Sequence, residues 1–112
     1  MGSPALSISP LTLSKDQALA IAEMFRLMGD PSRLKIVVAC LDAPRCVSDI
    51  AEALDLSPSL VSHHLRLLRA ARMLGAERRG KQVFYAAKDD HVRSVIADMI
   101  AHAHEPDDDD HG

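Results

Sequence analysis

His91, Asp98, His102 and Glu105 are side chains that can bind a metal ion, and their spacing lines them up. At about 100° per residue, a helix through this segment holds residues 98, 102 and 105 within roughly 40° of His91 around its axis. Beside that polar line runs an apolar seam of Val92, Val95, Ile96, Met99 and Ile100, and Asp89 stands just ahead of the helix. Imidazoles and carboxylates grouped in this way are the donor set of a borderline divalent cation such as zinc. His91 and His102 are nevertheless three turns apart, about 16 Å of rise, which is too far for one ion. Metal binding therefore requires a second, antiparallel copy of the helix whose far end lies beside the near end of the first. Two equivalent sites across a two-fold axis follow, each fed by both chains. The alternative is structural: His91 helps to start the helix, and His102, His104 and Glu105 form its wet last turn, where the helix dipole favours histidine.

A second set of residues suits a polyanion. Between residues 57 and 88 the chain carries Arg66, Arg69, Arg72, Arg78, Arg79, Lys81 and Lys88 against the single acid Glu77, although the net charge of the whole is −3. From Asp89 onward acids dominate, opposed by Arg93 alone. The small average charge hides a basic middle that a nucleic acid would contact and an acidic end that would repel it.

The elements that must position these groups follow from local signals. Residues 1–12 contain Ser and Pro without a usable period and read as a flexible arm. Ser14 with Gln17 makes a capping box. It opens a helix whose apolar residues (Leu19, Ile21, Ala22, Phe25, Leu27, Met28) lie nearly all round, which predicts a largely buried helix closed at Gly29. Asp30-Pro31 is an N-cap with proline in the first turn, launching a second helix through Leu34, Ile36, Val37, Val38 and Leu41 that Pro44 ends. A short helix over residues 47–54, a turn at Asp55, and a helix restarted by Ser57-Pro58 and running through Val61, Leu65, Leu68 and Met73 make a helix-turn-helix. Residues 76–79, a Gly80-Lys81 turn and residues 82–87 read as a β-hairpin. The last helix starts at Asp89 or Asp90 and frays by Pro106, before an acidic tail over residues 106–112 that is too charged to pack. The expectation is one domain over residues 13–105, mainly α with a small β-hairpin: a winged helix-turn-helix.

In that layout the second helix of the pair enters the major groove. Ser57, Ser59, Ser62 and His63 face base edges and phosphates with Arg66 nearby, and Arg78, Arg79, Lys81 and Gln82 at the hairpin tip reach phosphate or the adjacent minor groove. His63 and His64 sit at helical rather than ligand-like spacing, which assigns them to DNA contact and domain packing. The stretches MGDPSRLKIVVACL, CVSDIAEALDLSPSLVSHHLRLLRAARML and GKQVFYAAKDDHV resemble the ArsR/SmtB family of bacterial metal-responsive repressors over nearly the whole chain. The Asp-Pro-Ser-Arg-Leu helix start and the Val-Ser-His-His-Leu run inside the recognition helix carry the likeness together.

That resemblance implies a homodimer, paired through its first and last helices, that occludes double-stranded operator DNA when metal-free and lets go when metal binds. It also implies a zinc ligand set: Asp89 and His91 from one subunit, His102 and Glu105 from the other. Asp98 has no counterpart in that set. Nickel- and cobalt-sensing relatives complete a six-coordinate shell with extra tail histidines, for which His104 and His111 are available, so nickel or cobalt is the rival to zinc. Cys46 stands at the first position of a cysteine pair used by thiolate-based sensors. Ser48 occupies the place of its partner and the arm has no Cys or His, which argues against a soft-metal site.

No apolar run is long enough to span a bilayer and no basic-then-apolar leader precedes a cleavage site, so a soluble, cytoplasmic protein without a membrane partner is expected. Cys40 and Cys46 form neither a CxxC motif nor a disulfide framework and read as reduced thiols, Cys40 in the core. No nucleophile–base pair or open catalytic metal triad is visible, which argues against an enzyme. Two other functions stay open. One is a repressor of the same fold answering a thiol oxidant through Cys40 and Cys46. The other is a small metal buffer that uses the Asp/His tail, with the basic patch incidental.

Overall fold

Among the described residues, four of the five helices begin where a side chain satisfies a free first-turn amide, and proline reinforces two of those starts. The computed structural model describes residues 11–106, so most of the expected arm, and the tail from residue 107 with His111, lie outside the described residues. Within them the order is α1 (Lys15–Met28), α2 (Pro31–Ala39), β1 (Arg45–Cys46), α3 (Val47–Leu54), α4 (Pro58–Ala70), β2 (Leu74–Arg79), β3 (Gln82–Ala87) and α5 (Asp90–His104). Ser14 Oγ accepts from the Gln17 amide at 3.1 Å while Gln17 Oε1 accepts from the Ser14 amide at 2.9 Å, the expected capping box. Asp30 accepts from the amides of Ser32 and Arg33, and Ser57 from that of Leu60. Pro31 and Pro58 each occupy a first turn, where a missing N–H costs nothing.

The helix ends depart more from expectation. α2 stops at Ala39 rather than near Pro44, because the chain turns at Cys40 to reach β1. The Arg45 guanidinium holds that turn, Nε donating to Ala39 O at 3.1 Å. Arg33 does the same for α1, donating from Nε to Leu27 O at 2.9 Å. α4 stops at Ala70, and Arg72 adopts a left-handed conformation (φ 64°). The Met73 amide then donates back to Leu68 O at 2.9 Å, which closes the helix and returns Met73 to the core from a turn rather than from α4.

The hairpin begins at Leu74, two residues before the expected start, since Leu74 pairs with Ala87 and both are buried. β1 was not expected: its two residues pair antiparallel with β3 (Arg45 with Tyr85, Cys46 with Phe84), giving the order β1-β3-β2. Gly80 at the hairpin tip has φ +64°, a conformation that favours glycine. The core is shared by Ile36, Val37 and Cys40 of the α2 end, Ile50 of α3, Val61, Leu65 and Leu68 of α4, and Leu74 of β2. Among the described residues no helix is long and apolar enough to cross a membrane.

The expectation that α1 is largely buried is wrong. Leu27 alone is fully buried, Met24 and Met28 are half-buried, and Leu19 and Phe25 are each 63% exposed. An all-round apolar helix has two faces to cover, and a single chain covers one. The second face of α1 and the seam of α5 (Val95, Met99, Ile100) border a groove of about 700 Å³, lined almost wholly by apolar side chains and closed behind by Leu34 and Val38 of α2. Because Asp30 alone caps α2, Asp30→Ala is expected to lower folding stability by about 1 kcal/mol, read as a lower urea midpoint at pH 7.

Candidate DNA-reading surface and metal-binding helix

The α3–α4 pair turns at Asp55, a non-glycine residue held left-handed (φ 57°). α4 then divides cleanly by face. Val61, His64, Leu65 and Leu68 point into the core at helical spacing, whereas Ser59, His63 and Arg66 are exposed and Ser62 is half-buried. Ser57 lies at the same end, its hydroxyl oxygen engaged as the α4 cap. On the hairpin, Arg78 Nη1 donates to Gly80 O at 3.4 Å. Arg79 pairs with Glu77 at 3.1 Å and lies 5.0 Å over the Phe84 ring. Lys81 is exposed. Gln82 Nε2 donates to Cys46 Sγ at 3.7 Å, and that sulfur lies 3.3 Å from Ser48 Oγ, so this amide also ties β3 to the start of α3. Spacing gave no hint of that contact, which depends on the unexpected β1.

His64 has a different role from its neighbour. It is buried, its Nδ1 finds no hydrogen-bond partner among the described residues, and its ring lies 5.7 Å from that of His63. Burial pushes its pKa below the ordinary imidazole value; Asp30 opposes the shift, and Arg33 and His63 add to it. The signal was in the sequence, since position 64 falls in line with 61, 65 and 68.

On α5, Asp89 is the N-cap, one carboxylate oxygen accepting from the Val92 amide at 3.0 Å. His91 is exposed beside it, and both residues border the apolar groove. At the far end, His102 Nδ1 lies 3.9 Å from Glu105 Oε1, with the two side chains 86% and 68% exposed. Asp98 and His104 are exposed as well. No three of these donors come together within one chain among the described residues. The helix therefore carries two separated pairs, Asp89 with His91 and His102 with Glu105. Their chemistry, imidazole nitrogen and carboxylate oxygen open to solvent, fits a zinc-like cation if a second chain supplies the other pair. The cysteines are placed elsewhere. Cys40 is fully buried and burial pushes its thiol up to about 11, so the reactive thiolate is suppressed. Cys46 is also buried, and both thiols are free.

A helix-turn-helix whose second helix shows a polar, basic outer face, followed by a hairpin with an arginine- and lysine-bearing tip, defines a winged helix-turn-helix DNA-binding domain. Residues 30–74 match the family described as "Bacterial regulatory protein, arsR family". The chain is 39% identical over 100 residues to a transcriptional repressor SmtB homolog of Synechocystis sp., covering 89% of this chain and 76% of that protein. It is 33% identical over 94 residues to a cadmium resistance transcriptional regulatory protein CadC homolog of Staphylococcus aureus, covering 83% and 78%. The fold matches the solution structure of a homodimeric winged helix-turn-helix DNA-binding domain from Mycobacterium bovis with TM-score 0.74 and 22% identity, covering 83% and 89%. This chain belongs to the arsR family, one of transcriptional regulators rather than enzymes.

His64 sets a pH dependence of folding. Its folded pKa lies below the unfolded value of about 6.5, so its contribution is complete above that pH and is lost as pH falls through it toward the folded value. Between pH 7 and pH 5.5 the wild-type urea midpoint is expected to fall more than that of His64→Gln, which has no group titrating at this position.

Proposed function

We propose that the chain is a metal-responsive transcriptional repressor whose metal-free homodimer holds operator DNA and which zinc, bound between subunits at the ends of α5, releases. The observation that carries this reading is the division of donors on α5 into two pairs at opposite ends of an apolar seam left in water. Antiparallel pairing of two seams removes Val95, Met99 and Ile100 from water and brings the Asp89–His91 end of one chain toward the His102–Glu105 end of the other. The relatives support the rest: a transcriptional repressor, a cadmium resistance regulator and a homodimeric domain. A set of nitrogen and oxygen donors without thiolate favours zinc over cadmium. His104, two residues after His102, is exposed, and nickel or cobalt would recruit it, with His111, to reach six ligands.

DNA is met by Ser57, Ser59, Ser62, His63 and Arg66 of α4 and by Arg78, Arg79, Lys81 and Gln82 of the wing. Metal shifts this contact only by favouring one relative pose of the two DNA-reading heads over another. When bound, the cation supplies that preference by tying the two α5 helices together.

Zinc is expected to weaken wild-type operator binding by about 5- to 150-fold, the usual range of such coupling. His102→Ala is expected to keep metal-free binding and to lose this release, as measured by fluorescence anisotropy on the chain's own upstream sequence. A His102→Ala protein that zinc still releases would overturn the assignment. The same titration with cobalt gives optical spectra in which a four-coordinate and a six-coordinate site differ. Because a ligating imidazole must be unprotonated, zinc-driven release should weaken from pH 8 to pH 6.

A further inference from the structure

α5 is held on the rest of the chain by little. Ile96 is its one buried side chain, Val92 is half-buried, and Val95, Met99 and Ile100 face water. Among the described residues a single hydrogen bond joins the helix to another part of the fold: Arg93 Nε donates to Leu41 O at 2.9 Å. The same guanidinium pairs through Nη1 with Asp90 in the first turn, so it is gripped from its own helix as well. Leu41 follows Cys40, the residue that caps the end of α2 and whose O accepts from the Ala87 amide at 3.2 Å. That end of α2 packs in one core with Val61, Leu65 and Leu68 of α4.

We propose that Arg93 is the positioning residue that couples α5 to the DNA-reading helix, an inference that rests on metal acting through α5. A bond made equally in two states favours neither; what this one supplies is stiffness. With it, a change in the pose of α5 must carry the end of α2, and through the shared core α4 moves with it. Without it, α5 pivots on Ile96 and Val92 and absorbs the new geometry locally. Arg93 stands two residues from His91 but cannot be a ligand, since a guanidinium is all donor and offers no lone pair. Lysine is no substitute, because it lacks the planar fork that reaches Leu41 O and Asp90 together.

The test uses the full chain with Arg93→Lys and Arg93→Gln, and measures zinc affinity, operator affinity with and without zinc, and thermal midpoint. Both variants are expected to bind zinc and, when metal-free, operator within about threefold of wild type, while the zinc-driven loss of operator affinity shrinks by about tenfold. Undiminished release in both would overturn the inference, leaving Arg93 a merely structural cap that moves the thermal midpoint alone. If neither variant folds, Asp90→Asn keeps the Leu41 contact and frees the guanidinium on its helix side. That variant is expected to reduce release about threefold, and unchanged release would equally overturn the inference. A wild-type chain that zinc fails to release would instead remove the functional reading, and this inference with it.

Discussion

Phe25, Val95 and Met99 stand more than half exposed on adjoining helices, and covering such surface contributes about 25 cal/mol per Å² of apolar area. The rest of the architecture can be understood around that uncovered face. α2, α3, α4 and the sheet close a core of their own, with Ile36, Val61 and Leu65 wholly out of water. α1 and α5 complete that body with one face each, chiefly through Leu27 and Ile96, and offer the other outward. Monomeric proteins seldom leave contiguous apolar surface of this kind uncovered, and a second copy of the chain is the proposed cover. The same geometry explains why the candidate metal donors lie at the rims: polar side chains border an apolar seam where they stay wet and can still reach a neighbour.

On the proposed reading, DNA contact and metal binding belong to different parts of one small fold. The basic outer face of α4 and the tip of the wing sit on the closed body, while the imidazoles and carboxylates sit on the loosely held last helix. A sensor needs its binding site on a part that can move and its output on a part that keeps shape. Here the first is lightly buried and the second is packed on several sides.

Much of this was legible in the residues. Caps are local chemistry, so Ser14 with Gln17, Asp30-Pro31, Ser57-Pro58 and Asp89 marked helix starts that the structure keeps. The donor spacing on α5 was legible for the same reason, because a helix converts sequence distance into angle and rise. The misreadings share a cause, which is dependence on distant partners. The apolar periodicity of α1 says that two faces are oily but not which one the same chain covers. β1 is two residues long and exists by pairing with β3, so it has no pattern of its own. Met73 fitted the α4 period yet reaches the core from a left-handed turn at Arg72, a position where glycine would have announced the stop. The contact of Gln82 with Cys46 was not legible either, because it depends on a register that only the folded sheet fixes.

Arg33, Arg45 and Arg93 repeat one device: each sends its Nε to a carbonyl at or just past the end of a helix, Leu27, Ala39 and Leu41 respectively. A guanidinium on a peptide oxygen is a short-range, partly desolvated contact, whereas a grip on nucleic acid phosphate depends steeply on ionic strength. Brine that strips this protein from DNA should therefore leave its joints fastened, and a chain eluted in this way would come off already assembled, with no refolding needed before it binds again.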